Sequence, residues 1–203
     1  MNSGTLYAET AAQEGSLTPA EWAQGHLYLQ QTLNGTLGAI RGLSEEQGRF
    51  KPAPEQWSIL EIVEHIAFVL ERVAGPTREA LAAAPAPPPH HDCQTIDRIV
   101  MHQFPSRLNK YQAPPVAYPV GRFESPAEAE SALVKDFEAL SEYLDSTPDL
   151  REHALEAMPL KVVTNGTYQV MDGYQWILAA AAHTERHTKQ ILEVKAHQEF
   201  PAN

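Results

Sequence analysis

Four helix-start signals, each followed by helical periodicity, constrain this chain more than any other feature. Thr18-Pro19-Ala20-Glu21 sets a hydroxyl three residues ahead of a carboxylate, with proline at the first helical position. Such a box satisfies backbone N–H groups that a helix leaves unpaired at its start. Ser58-Ile59-Leu60-Glu61 repeats the device, with Trp57 placed to staple against Ile62. Ser125-Pro126-Ala127-Glu128 nearly copies the first, and Asp172-Gly173-Tyr174-Gln175 is a looser fourth. Behind these starts, apolar residues recur at helical spacing: Trp22, Leu29, Leu33, Thr36 and Ile40; Ile59, Ile62, Val63, Ile66, Leu70 and Val73; Ala129, Leu133, Phe137, Leu140 and Leu144. The spacing predicts helices over 19–42, 59–84, from 126 onward, and 173–197. Four long amphipathic helices predict an all-α fold, a four-helix bundle.

The connections are uneven. Pro85-Ala86-Pro87-Pro88-Pro89 opens a long second connection over 85–124, which permits a crossover along the bundle. Within it a short helix is predicted over Gln94–Phe104, and Ala113–Val120 reads as extended. Asn165-Gly166, between β-branched and aromatic residues in 162–170, predicts a small β-hairpin before the last helix. Residues 1–15 are polar and read as a mobile N-terminus, leaving 16–200 as one domain. A net charge of −11 with no basic stripe argues against nucleic acid as a partner. No apolar run approaches the roughly 18–20 residues of a membrane span, and no basic-then-apolar leader opens the chain. The single cysteine, Cys93, excludes an intrachain disulfide, so the cytoplasm is the expected location.

Chemistry concentrates in the last helix. In AAAAHTERHTKQI (179–191), a turn of about 100° per residue puts Trp176, Ala180, His183, His187, Ile191 and Val194 on one stripe. Two imidazoles at i and i+4 on an inward face can share one metal ion. An open catalytic site wants a third ligand, and His65 is the candidate, although it lies at the edge of its helix's apolar stripe, beside Ile66. Gln190, close to His187 around the helix, can line the pocket or orient a ligand. Glu64 and Glu185 project away from the inward stripes and are poor choices for a general base. His26 reads as an edge packing residue, and His90-His91-Asp92-Cys93 as a solvated loop despite its ligand-like letters. Glu21, Glu61 and Glu128 read as capping partners, Trp22 and Trp176 as core. No phosphate-cradling glycine loop and no Gly-x-Ser-x-Gly elbow is present.

Trp57-Ser58 opening a helix, His65 seven residues on, and His183-x-x-x-His187-x-x-Gln190-Ile191 on the last helix resemble the DinB-like superfamily, which includes YfiT-like metal-dependent hydrolases. The resemblance spans roughly 18–197. It implies a four-helix bundle running up-down-down-up, often a homodimer, with a divalent ion, commonly nickel or zinc, on His65, His183 and His187. It also implies hydrolysis, or transfer using a low-molecular-weight thiol, on a small-molecule substrate. The competing reading is a non-catalytic metal-binding or dimeric interaction protein of the same fold. Three imidazoles suit zinc, nickel, iron or copper alike.

Overall fold

The computed structural model of the protein describes residues 16–109 and 111–202. The expected mobile N-terminus, 1–15, lies outside the described residues. Four long helices carry the molecule: α1 (Pro19–Ile40), α3 (Ile59–Arg72), α6 (Pro126–Ser146) and α8 (Gly173–Lys195). Shorter pieces fill the connections: α2 (Glu45–Arg49), α4 (Arg78–Ala82), α5 (Cys93–Gln103), α7 (Met158–Val163), and strands β1 (Ala154–Glu156) and β2 (Val170–Asp172).

All four anticipated starts form. Thr18, Ser58 and Asp172 make complete reciprocal boxes with Glu21, Glu61 and Gln175. Ser125 accepts from Glu128 N, but the Glu128 carboxylate takes the N–H of Glu124, one residue before the cap. Ser44 and Gln47 form a further box that starts α2, which the periodicity does not reveal because the helix is a single turn. The second helix continues past Arg72 through a π turn, Val73–Thr77, and ends at Ala82. Pro76 inside that turn has no N–H to give, and the wider turn accommodates it.

α8 packs on α1, α3 and α5, and α6 packs on α1 and α3. The apolar positions predicted on the second and third helices are all buried, as are Leu29, Thr36 and Ile40 of α1. α8 is buried nearly all round rather than along one stripe, through Tyr174, Ile177, Leu178, the alanines 179–182, Thr184 and Ile191. Its small residues let neighbouring helices approach. From α1, Gly25 does the same: a Cβ there would lie 2.9 Å from Tyr174 Cε2.

Trp22 is not core. It is 46% exposed, its ring 4.1 Å from that of His26, because α1 turns Gly25, Tyr28 and Leu29 inward instead. Trp176 is partly buried against the core.

The predicted hairpin is also corrected. The ribbon exists, but it pairs β1 with β2, antiparallel, Leu155 opposite Met171. Asn165-Gly166 is not its turn. Both residues have positive φ (48° and 82°), and they end α7: Gly166 N donates to Lys161 O (2.8 Å) and Asn165 N to Val162 O (3.4 Å), a Schellman termination.

One buried cation fixes the start of α8. Arg151 holds Asp97 through both of its terminal nitrogens (2.7 and 3.0 Å), Asp172 Oδ2 at 2.8 Å and Glu21 Oε1 at 2.7 Å, with its guanidinium over the Tyr174 ring. The first turns of α1 and α8 and the middle of α5 meet there. No helix among the described residues is long and apolar enough to cross a membrane.

Candidate metal centre

α3 and α8 lie side by side, and His65, His183 and His187 meet between them. The ring centroids are 4.9 Å (65–183), 4.7 Å (65–187) and 4.3 Å (183–187) apart, and one nitrogen from each lies within 4.8 Å of the others. His65 Nε2 is 3.1 Å from His183 Nε2. His65 and His187 are buried, and His183 is half-buried. The edge position expected for His65 is therefore corrected: α8 and the segment around Ala117 close over that edge.

The outward nitrogens define the tautomers. His65 Nδ1 lies 2.8 Å from the carbonyl of Ala117, and His187 Nδ1 lies 2.9 Å from Gln190 Oε1. Carbonyl oxygens only accept, so both Nδ1 atoms donate and both Nε2 atoms turn lone pairs toward the centre. Burial, then the rings of His187 and His65, holds His183 well below the usual imidazole range. Burial and His65 push His187 down to about 3. Burial also lowers His65, against the opposing bond to Ala117. Neutral imidazoles are the form that ligates.

His183 Nδ1 is buried and has no hydrogen-bond partner among the described residues. An orphaned buried polar atom costs about 1–3 kcal/mol. Three rings facing one another, one of them short of a partner, do not stabilise a core. They could hold a cation: three inward nitrogens from two helices match the number of protein ligands in an open site.

Residues that the sequence reading missed complete the surroundings. Arg107 donates to Gln190 Oε1 at 3.3 Å and pairs with Glu193. Arg186 is buried, donates to the Asn109 carbonyl at 2.6 Å and lies over the Tyr111 ring. Trp57 stands 4.9 Å from the His65 ring, with Tyr118 beyond it. A cavity of about 200 Å³ borders His65, lined also by Phe68, Ala117, Tyr118 and Arg122. A larger cleft of about 470 Å³, between 102–111 and 162–165, touches none of the three histidines.

The carboxylates are engaged elsewhere. Glu64 is buried, not projecting to solvent, and accepts the N–H groups of Val120, Gly121 and Arg122 at 2.7–3.0 Å. Glu185 accepts from the Tyr28 hydroxyl and pairs with Lys189. His26 stays remote from the centre, bonded to Asp145 and Ser141. The solvated loop expected at 90–93 is half right. His90 and Asp92 are exposed, but the His91 side chain is 5% exposed, because Asp172 and Gln175 at the start of α8 draw it in.

Comparison with known proteins gives the family. The uncharacterized protein YuaE of Bacillus subtilis (strain 168) is 27% identical over 160 residues, covering 79% of this chain and 90% of the relative. No solved structure matches. The family model described as the DinB superfamily matches residues 28–191, a span that contains all three histidines, and the chain belongs to that superfamily.

Proposed function

We propose that this protein is a divalent-metal enzyme acting on a small molecule, a DinB-like bundle running up-down-down-up as one domain over 16–200, with His65, His183 and His187 as ligands. The observation that carries the reading is the inward convergence of three neutral imidazoles from two helices on one point. When bound, a nickel or zinc ion there supplies Lewis acidity and makes a coordinated water or thiol acidic near neutral pH. That chemistry suits hydrolysis or transfer of a low-molecular-weight thiol.

The chain's own residues do the positioning. Ala117 and Gln190 lock the tautomers of His65 and His187, and Arg107 steadies Gln190. Trp57 and Tyr118 cover His65 from one side, and the cavity beside it gives a substrate somewhere to sit. Glu64 and Glu185 are committed to their own partners and are not free to act as general bases.

Element analysis of untagged protein tests the ligands. His65→Ala, His183→Ala and His187→Ala each lose one equivalent of divalent ion relative to wild type, with helical circular dichroism retained. Wild-type stoichiometry in a folded variant rejects the assignment. In a screen of hydrolase and thiol-transfer substrates, chelation abolishes turnover and added nickel or zinc restores it; turnover indifferent to the ion rejects the enzymatic reading.

A further inference from the structure

At the opposite end of α8 from His187 lies a second group of metal-ligating side chains, and it is chemically unlike the first. Cys93 opens α5, His91 stands two residues before it, and Asp172 caps α8. One ligand atom from each lies within 4.8 Å of the others. His91 Nε2 is 3.5 Å from Asp172 Oδ2, and Cys93 Sγ is 3.7 Å from the same oxygen. A tetrahedral zinc ion with ordinary bond lengths spaces a nitrogen–oxygen pair about 3.4 Å apart and a sulfur–oxygen pair about 3.6 Å apart. The two pairs that share Asp172 Oδ2 stand close to those separations, and His91 and Cys93 lie within 4.8 Å of each other.

The charge balance points the same way. Glu21, Asp97 and Asp172 surround one guanidinium, that of Arg151. Three carboxylates against one fixed cation favour positive charge at the open side of Asp172, supplied by the His91 proton until an ion displaces it. Arg151 occupies one lone pair of Oδ2 and leaves the other facing His91 and Cys93. Asp172 is fully buried and the His91 side chain nearly so, while Cys93 is half-buried, which gives an ion a way in.

We infer that His91, Cys93 and Asp172 form a second cation site, selective for a thiophilic divalent ion such as zinc. Gln175 Oε1, 3.1 Å from His91 Nε2, or a water completes the coordination. On binding, the thiol proton and the proton on His91 Nε2 pass to solvent, and the imidazole keeps a proton on Nδ1 so that Nε2 ligates. The site is a clamp. It ties the proline-rich run that precedes α5 to the first turn of α8. The other end of that run is already fastened through Ala154 N to Pro85 O and His153 to Ala84 O.

Cobalt substitution separates the two sites, because only this one contains sulfur and Cys93 is the chain's sole cysteine. In the full-length His183→Ala/His187→Ala variant, which lacks the imidazole centre, added Co²⁺ gives a thiolate-to-cobalt charge-transfer band. The band disappears in Cys93→Ser and weakens strongly in His91→Gln. Absence of the band in both wild type and the double variant overturns the site. So does a band of full strength in His91→Gln, which would mean that sulfur takes up the metal without the cluster. A second readout needs no substitution: zinc slows alkylation of Cys93 in the wild-type protein at least several-fold, and an unchanged rate overturns the proposal.

Discussion

Single side chains in this protein stand where burial and chemistry pull against each other. Gln190 touches His187 and not the centre itself, so its loss acts through the ring it orients. Gln190→Ala therefore lowers metal affinity roughly 10-fold or more while full occupancy returns at saturating ion, as a calorimetric titration reports. Asp136 shows the opposite tension. Its Oδ2 has no partner among the described residues, and burial, with Glu71 nearby, pushes its carboxyl up to about 6. A carboxyl raised above its unfolded value favours the fold only while protonated. That contribution is complete below about pH 4 and is lost as pH rises toward 6. Asp136→Asn therefore stabilises the protein at pH 7 by about 1–3 kcal/mol in urea unfolding, and the gain vanishes near pH 4. Local chemistry of this kind was partly legible. The pairing of His183 with His187 follows from helical spacing alone. The partner of His65 does not, because a backbone carbonyl such as that of Ala117 looks the same at every position of a sequence.

At the level of helices and strands, the starts were readable and the irregular connections were not. Capping is a contact across three residues, so Thr18, Ser58 and Asp172 announce themselves. Asn165-Gly166 misleads for a physical reason: a tight hairpin and a Schellman stop ask for the same positive φ, and only the helical turn beginning at Met158 decides between them. Trp22 misleads similarly, since which face of α1 turns inward depends on where Tyr174 of α8 arrives. That arrival can be probed directly. Gly25→Ala gains helix propensity yet forces a methyl against the rigid Tyr174 ring, so it destabilises by about 1–3 kcal/mol, read as a lower denaturant midpoint at unchanged slope. A stabilised variant would show that α1 and α8 stand farther apart than this contact requires.

For the molecule as a whole, an ion shared by α3 and α8 is a ligand of the folded state alone. At a hundred times its dissociation constant it adds about 2.7 kcal/mol, and nickel should raise the melting temperature by roughly 5–10 °C. In His183→Ala/His187→Ala the nickel-induced rise shrinks sharply; an equal rise in that variant would place the stabilising ion elsewhere. Long-range arrangement is what the sequence reading could not reach. His91 is drawn in by Asp172 and Gln175, and Glu64 is buried by residues 120–122; in each pair one partner lies on a connection whose own pattern carries no periodicity. The Glu64 contact has a further consequence. Neighbouring residues of one helical turn grip the same strap with opposite polarity, His65 giving a proton to Ala117 and Glu64 collecting three from Val120, Gly121 and Arg122. Lengthening or shortening the chain between 117 and 122 would break that double grip and swing the imidazole off its aim.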